Sequence, residues 1–283
     1  MDQCRDLNEI MLKIATYNIQ FSLNQDSIEK NIIKIVDGGV SIICLQEVII
    51  HGNDSNIIAR ILNKLGTNWS SACHVGNSQD VLSMGTCIMW NKKVVENLEV
   101  TKMTLPFSER LSFPEKVFSV LAGGISTPFL RRAISVAFKF ERKHIRITNI
   151  HLDHNGGRSN RKKQLQYLAD ELEKNTDFDF EVVCGDFNNL DISKENREEK
   201  IFSSVLHAFT DATKNITWTA DLYYIDSTSG NILLQKIIRL LHIHLTKKLD
   251  YIWIKNVKHE SSARLFLKGS DHFPIVASLT AMV

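Results

Sequence analysis

Several absences narrow what this chain is. No apolar stretch reaches the length of a membrane span. Net charge is only +2, so no global basic field advertises a nucleic-acid binder, and a local basic groove is the form such binding would take. Proline is scarce, and three of the four lie at Pro106, Pro114 and Pro128, inside an irregular span. Five cysteines, an odd number without a C-x-x-C pair, argue against a disulfide framework. Cys44, Cys87 and Cys184 fall in apolar runs and read as buried thiols. Internal repeats and low-complexity linkers are absent too, so one domain over 1–283 is expected, with insertions at about 102–130 and 230–248. The first residues, Met1 to Asp6, lack the apolar core of a signal peptide. The expectation is a soluble, cytoplasmic protein of a reducing compartment; secretion without a cleaved signal would look the same.

What is present is a globular composition, 43% apolar and 23% charged, enough for a sizeable core. Residues 11–19 read as a first strand. Asp26 or Ser27 caps a helix with Ile28, Ile32, Ile35 and Val36 on one face, stopped by Gly38-Gly39. Strand 40–46 follows, then a helix through Ile57, Ile58, Ile61, Leu62 and Leu65, closed by Gly66. Strands are predicted at 69–75, 84–91 and 93–101. A hairpin over 132–140 and 143–150 turns at Glu141-Arg142. A helix at 158–174, strand 180–185, a helix near 197–208 and strands at 249–255, 262–267 and 273–280 complete the reading. Alternating helices and strands in each half suggest two packed sheets with helices outside.

One arrangement recurs along this framework. The apolar run Phe180 to Cys184 ends in Gly185-Asp186-Phe187-Asn188; the run from Leu12 ends at Asn18; the run from Ile42 ends at Glu47; the run from Ile145 ends at His151. Near the C-terminus, Gly269-Ser270-Asp271-His272 precedes Phe273-Pro274-Ile275-Val276. Polar groups at strand tips are how a sheet presents a site. Amides, carboxylates and two histidines together suit a hard-metal phosphoester site. Hydrolysing a phosphate ester needs a divalent cation, a base for water and donors for the developing oxyanions. Glu47 is the candidate metal ligand, because Mg²⁺ prefers a carboxylate plus waters. Asp186 is the first choice for positioning and deprotonating water. Asn188 either donates to the phosphoryl oxygen or holds Asp186. His151 and His272 are phosphate donors, and whether His272 or Asp186 is the base stays open. Asp271 steadies the metal or binds a second one, and Asn18 orients Glu47 or touches phosphate. Asp250, in the apolar strand Leu249 to Trp253, needs a partner if buried.

Taken in order, TYN (16–18), LQE (45–47), NIHLD (149–153), GDFN (185–188), LDYIW (249–253) and GSDHFP (269–274) resemble the endonuclease/exonuclease/phosphatase superfamily. The motifs run from residue 12 to 280. The resemblance implies an α/β fold, a four-layer α/β/β/α sandwich of two packed mixed sheets flanked by helices, with the site at one edge of the sheets. It implies a metal-dependent phosphoric ester hydrolase that uses Mg²⁺, with Mn²⁺ as a substitute. It also implies that Asp250 pairs with His272, raising the histidine pKa. Arg161 and Gln164 resemble the R-x-x-Q-L segment after the histidine motif and read as support. Arg131 or Arg132 can reach phosphate; Asp153, His154 and Asn155 stand where members vary with substrate; Trp218 matches a recurrent tryptophan, either touching substrate or packing in the core.

For the substrate three readings are carried. The first is a nuclease, drawing on basic spots at Arg131-Arg132, Arg158, Arg161 to Lys163 and Lys247-Lys248. The second is a phospholipid, sphingomyelin or phosphoinositide phosphoesterase, drawing on residues 230–248. As a helix these put Gln235, Lys236, Arg239 and His242 on one side and Leu233, Leu234, Ile237, Ile238, Leu241 and Leu245 largely on the other, for a membrane surface or for packing on the domain. The third is a non-catalytic scaffold of the same fold. Where abasic-site endonucleases usually carry tyrosine, this chain has His151. Thr217-Trp218-Thr219-Ala220-Asp221 only approximates the tryptophan segment of the 5-phosphatases. The reading adopted is a phosphodiesterase, with nucleic acid ahead of lipid.

Overall fold

The computed structural model describes residues 11–49, 56–76, 84–107, 130–154, 157–191, 197–224, 236 and 240–281. Most of the predicted span 102–130 lies outside them, as do residues 230–235 and 237–239 of the predicted helix 230–248, Asn155 and Cys4.

Two six-stranded sheets form the centre. In the first, β1 (Met11–Asn18) and β2 (Ile42–Ile49) run parallel in the middle, flanked by β3 (Trp69–His74), β4 (Met84–Asn91), β13 (Val257–Arg264) and β14 (Ile275–Ala281), in the order β13-β14-β1-β2-β4-β3. In the second, the parallel pair is β7 (Lys143–His151) and β8 (Phe180–Asp186). Its order is β5-β6-β7-β8-β12-β9, where β5 is Glu96–Thr104, β6 Arg132–Phe140, β9 Thr210–Asp211 and β12 Asp250–Lys255. A short ladder joins β10 (Ala220–Asp221) to β11 (Thr246–Lys247). The short strands β9, β10 and β11 escape sequence reading because two residues carry no periodicity.

Each parallel pair needs a crossover, and a helix supplies it. Gln25–Asp37 links β1 to β2, and Gly157–Glu173 links β7 to β8. Ile28, Ile32 and Ile35 recur at helical spacing and are buried. Three apolar clusters separate the layers. Ile14, Ile42, Ile147, Val182 and Ile252 belong to the one between the sheets. Ile28, Ile32, Ile57 and Ile61 join the outer face of the first sheet, and Leu165, Leu168 and Phe202 that of the second. The result is an α/β sandwich of four layers.

Some boundaries move. Asn24, not Asp26 or Ser27, caps the first helix, accepting from the Ser27 amide. The penultimate strand is 257–264 rather than 262–267, since it extends back through a polar, exposed edge that has no apolar signal. Cys87 is not a free thiol. It lies directly opposite Cys73 across β3 and β4, and the two form a disulfide with Cα atoms 4.1 Å apart. Sequence spacing does not reveal a pair created by strand register. Cys44 and Cys184 are buried free thiols. Of the predicted helix 230–248, Lys236 and Leu240 are helical among the described residues, whereas 241–245 is turn and coil and Thr246–Lys247 is strand. No helix of the described residues is long and apolar enough to cross a membrane.

Candidate active site

The carboxyl ends of the two parallel pairs meet at one edge of the sandwich. Asn18 ends β1, His151 ends β7 and Asp186 ends β8. Glu47 takes more backbone work. The β2–β4 register slips between Gln46 and Val48, and Glu47 on this bulge has φ 58°. A bulge re-aims a side chain that regular pairing would point elsewhere. Left-handed residues Gln20, Phe21 and Ser22 follow β1 in a tight loop. This loop turns the Phe21 amide onto Glu47 Oε2 at 3.1 Å. On β8, Gly185 has φ 141°, and a Cβ there would fall 1.9 Å from the Ile150 carbonyl oxygen. Only glycine lets β7 and β8 close up behind His151 and Asp186.

Asp186 Oδ2 is the hub. It accepts from Asn18 Nδ2 at 2.9 Å, and His151 Nε2 and His272 Nε2 stand 3.5 and 3.9 Å away. The same Asn18 nitrogen donates to Glu47 Oε1 at 3.2 Å, which lies 3.9 Å from His151 Nε2. Asp186 Oδ1 accepts the Asn188 backbone amide at 2.8 Å, while the Asn188 side chain donates to the Leu152 carbonyl. Asn188 thus braces Asp186 and the loop after β7. His272 Nδ1 lies 2.8 Å from Asp250 Oδ2, which also accepts from Thr219 Oγ1 at 2.7 Å. Ser270 Oγ ties the Asn18 carbonyl and the His272 amide together. Asp271 is half-buried beside Ser270.

Arg131 is buried just before β6. Its Nη1 lies 3.1 and 3.2 Å from the two ring nitrogens of His151, its Nη2 2.6 Å from His154 Nδ1, and its Nε 3.8 Å from Asp153 Oδ1. Asp153 is held in turn by Asn160, Gln164 and Arg161, and Arg161 is paired with Glu198. Arg161 and Gln164 therefore brace the loop that carries Arg131's partners. Trp218 sits apart from the hub, with the Arg264 guanidinium 3.3 Å above its ring and Phe273 5.4 Å away.

Electrostatics follow from burial. Burial pushes the Asp186 carboxyl up to about 7, against the pull of His272. It also raises Glu47 and Asp271, and each carboxylate is further raised by a neighbouring one. His272 is buried too, yet Asp250 and Asp186 outweigh that and hold it well above its usual range, as a cation. His151 goes the other way: burial, then Arg131, keep it neutral. Oxygen donors from Glu47 and Asp186, beside a buried Asp250 Oδ1 that lacks a hydrogen-bond partner among the described residues, suit a hard divalent cation.

This arrangement of sheets and helices has counterparts among solved structures. An endonuclease/exonuclease/phosphatase protein from Bacteroides vulgatus superposes with TM-score 0.69 at 20% identity, over 96% of this chain and 100% of that one. The chain has the endonuclease/exonuclease/phosphatase fold. D. rerio TDP2, solved with a single-stranded DNA product, matches with TM-score 0.68 at 16% identity, over 96% and 99% of the two chains. A mannosyl-6-phosphatase from Bacteroides thetaiotaomicron matches with TM-score 0.66 at 15% identity, over 95% and 99%. No family model and no curated protein matches the sequence.

The structure gathers Asn18, Glu47, Arg131, His151, Asp186, Asn188, Asp250, Asp271 and His272 at this edge. Trp218 is set apart from them, against Arg264 and Phe273, and Asn155 lies outside the described residues. Sequence reading missed Thr219 and Ser270, which hold Asp250 and His272. It also missed a polar seam behind the site, in which Gln46 Nε2 donates to Thr16 Oγ1 and to Asn149 Oδ1 on the opposite sheet at 3.0 and 2.7 Å. The available signal was a polar residue interrupting an apolar run, because a buried amide needs partners.

Proposed function

We propose that this chain is a divalent-metal-dependent phosphoesterase that hydrolyses phosphodiesters with an activated water. The observation that carries this is the convergence on Asp186 Oδ2 of Asn18, His151 and His272, each from a different strand end, with Glu47 bridged in through the same Asn18 nitrogen. Glu47 and Asp186, with Asn18 or Asp271, would hold the cation, expected to be Mg²⁺ or Mn²⁺. Such an ion supplies charge neutralisation on the phosphoryl group and lowers the pKa of water. Asp186, aimed by the Asn18 side chain and the Asn188 amide, takes the water proton. His272, kept cationic by Asp250, and Arg131 offset charge on the phosphoryl oxygens as the bond to the leaving group breaks. Neutral His151 donates from Nε2 to the same group. The non-catalytic alternative is disfavoured because every position at the hub holds a residue able to do its part.

For the substrate, nucleic acid is the first reading, supported by the TDP2 relative seen with single-stranded DNA product. A phosphoester at a lipid surface is the second, favoured by an exposed apolar strip beside the site. The deciding experiment is hydrolysis with Mg²⁺ or Mn²⁺, wild type beside Asp186→Ala, on single- and double-stranded DNA, RNA, sphingomyelin vesicles and phosphoinositide vesicles. Turnover that requires metal and disappears in the variant is expected. Metal-independent turnover, or turnover that survives Asp186→Ala, would overturn the reading.

A further inference from the structure

The stretch 240–248 reads Leu-Leu-His-Ile-His-Leu-Thr-Lys-Lys, and 262–268 reads Ser-Ala-Arg-Leu-Phe-Leu-Lys. Neither contains an acid. Leu265 and Leu267 pack against the core, but five large apolar side chains stay outside: Leu240 is 76% exposed, Leu241 60%, Ile243 38%, Leu245 49% and Phe266 56%. Single exposed apolar residues need no explanation, but a contiguous set marks a contact surface. Ring contacts join these two stretches. Tyr223 lies 4.5 Å from the His244 ring and 6.3 Å from that of His242, and Tyr224 lies 6.2 Å from both His244 and Phe266. Arg264 covers the Trp218 ring, and Lys268 stands 5.7 Å from that of Tyr224.

The surface is wired to the site. β10 pairs with β11, placing Ala220 opposite Lys247, and Ala220 also bridges to His272. The Asp221 amide donates to the Asp271 carbonyl at 2.9 Å, and Thr219 holds Asp250. The apolar residues 240–245 therefore lead directly into β11, which only β10 separates from His272.

Its chemistry selects an occupant. Nucleic acid is gripped by cations and donors on phosphate and by aromatic faces on bases. Exposed leucine and isoleucine side chains offer neither. Aliphatic side chains rimmed by Tyr, Trp, His, Arg and Lys are what the headgroup boundary of a bilayer accommodates, the rings at headgroup level and the cations toward anionic lipid. We infer that Leu240, Leu241, Ile243, Leu245 and Phe266, with Arg264 and Lys268, form a docking face for an anionic phospholipid surface, which sets the mouth of the site against the headgroups. The inference rests on the phosphoesterase reading only for what docking delivers.

The test is co-sedimentation of the full chain with vesicles of phosphatidylcholine plus phosphatidylserine, against phosphatidylcholine alone and against single-stranded DNA. Wild type is expected to prefer the mixed vesicles. The triple variant Leu240→Ser/Leu241→Ser/Leu245→Ser should weaken that association at least about tenfold. It should leave Mg²⁺-supported hydrolysis of soluble bis(p-nitrophenyl) phosphate unchanged. Lys268→Gln should bind with a shallower salt dependence, which keeps the test sound if the triple variant misfolds. Absence of vesicle binding by wild type, equal binding by the triple variant, or loss of DNA binding in its place would each overturn the docking face. Vesicle binding without hydrolysis of any phosphoester would leave the docking face standing and sink the phosphoesterase reading.

Discussion

The two sheets are built to one plan, and the site depends on where they differ. Across each sheet the pairings run antiparallel, antiparallel, parallel, antiparallel, antiparallel. Asn18 at the end of β1 corresponds to His151 at the end of β7. The carboxylates Glu47 and Asp186 stand on the adjacent parallel strands. His272 precedes β14 as Arg131 precedes β6, and Met84 opens β4 as Asp250 opens β12. The equivalent contacts between sheets have opposite character. His272 meets a carboxylate, Asp250, at 2.8 Å, whereas Arg131 meets the Met84 thioether at 3.8 Å. One cation is locked by a charge across the sandwich. The other is held by His151, His154 and Asp153 from its own sheet. A shared scaffold thus yields one rigid charge relay and one cation whose setting depends on a loop.

The largest expected effects test the division of labour between Glu47 and Asp186. Either change to Ala should lower kcat by about a thousandfold or more. Raised Mn²⁺ should recover part of the loss in Glu47→Ala and little in Asp186→Ala, read from rate against metal concentration. Equal recovery would erase the distinction between a carboxylate that only holds the metal and one that also takes the proton. Next come the cross-sheet contacts. Asp250→Asn should lower kcat by roughly a hundredfold, with KM nearly unchanged, because His272 loses the charge that keeps it cationic. Met84→Leu, the matching change in the other half, should do almost nothing. A comparable loss in both would show that Arg131 relies on the thioether after all.

Backbone strain separates the halves as well. Gly185→Ala would drive a methyl into the Ile150 carbonyl at an unfavourable φ, and a loss of about 3 kcal/mol is expected in chemical denaturation. A milder effect is the pH dependence of metal binding. Asp186 rises from its ordinary 3.8 to about 7 through burial. A raised carboxyl favours the metal-free fold fully below about 3.8, and that advantage is lost as pH rises through about 7. Ligands must shed protons to bind metal. Apparent Mn²⁺ affinity, read by thermal shift, should therefore climb between mildly acid and mildly alkaline pH, while metal-free stability declines. A flat affinity would mean that Asp186 is ionised throughout.

Much of this plan was legible in the sequence because strand tips are marked twice, by an apolar run and by the polar residue that ends it. Asn18, Glu47, His151 and Asp186 were each found that way. The register was not legible. It sets Gln46 rather than Glu47 opposite Asn18, so the bulge that turns Glu47 inward left no trace in residue spacing. It also pairs Cys73 with Cys87, which composition alone read as unpaired. The stretch 230–248 had helical periodicity, but its last residues serve as the strand partner of Ala220–Asp221, and tertiary pairing overrode the local pattern. Asp153 and His154 were read as positions that vary with substrate, and their hold on Arg131 was not legible, because that partner lies more than twenty residues earlier.

The smallest effect is the sharpest test of the bulge. Second-half geometry is natural to its register, since His151 faces Asp186 directly and a glycine absorbs the strain. First-half geometry is imposed, because a non-glycine residue holds φ 58° so that its carboxylate points inward. Strain of this kind persists at sites where the side chain is needed for function. Glu47→Gly and Glu47→Ala both remove the carboxylate and its burial, so the difference between them isolates the backbone. Glu47→Gly should be more stable than Glu47→Ala by about 1 kcal/mol, since glycine takes positive φ without steric penalty. Both should lose activity to the same extent. Equal stability would mean that β2 relaxes out of the bulge once the carboxylate is gone, and that the Phe21 amide and Asn18 hold the strained backbone only through Glu47.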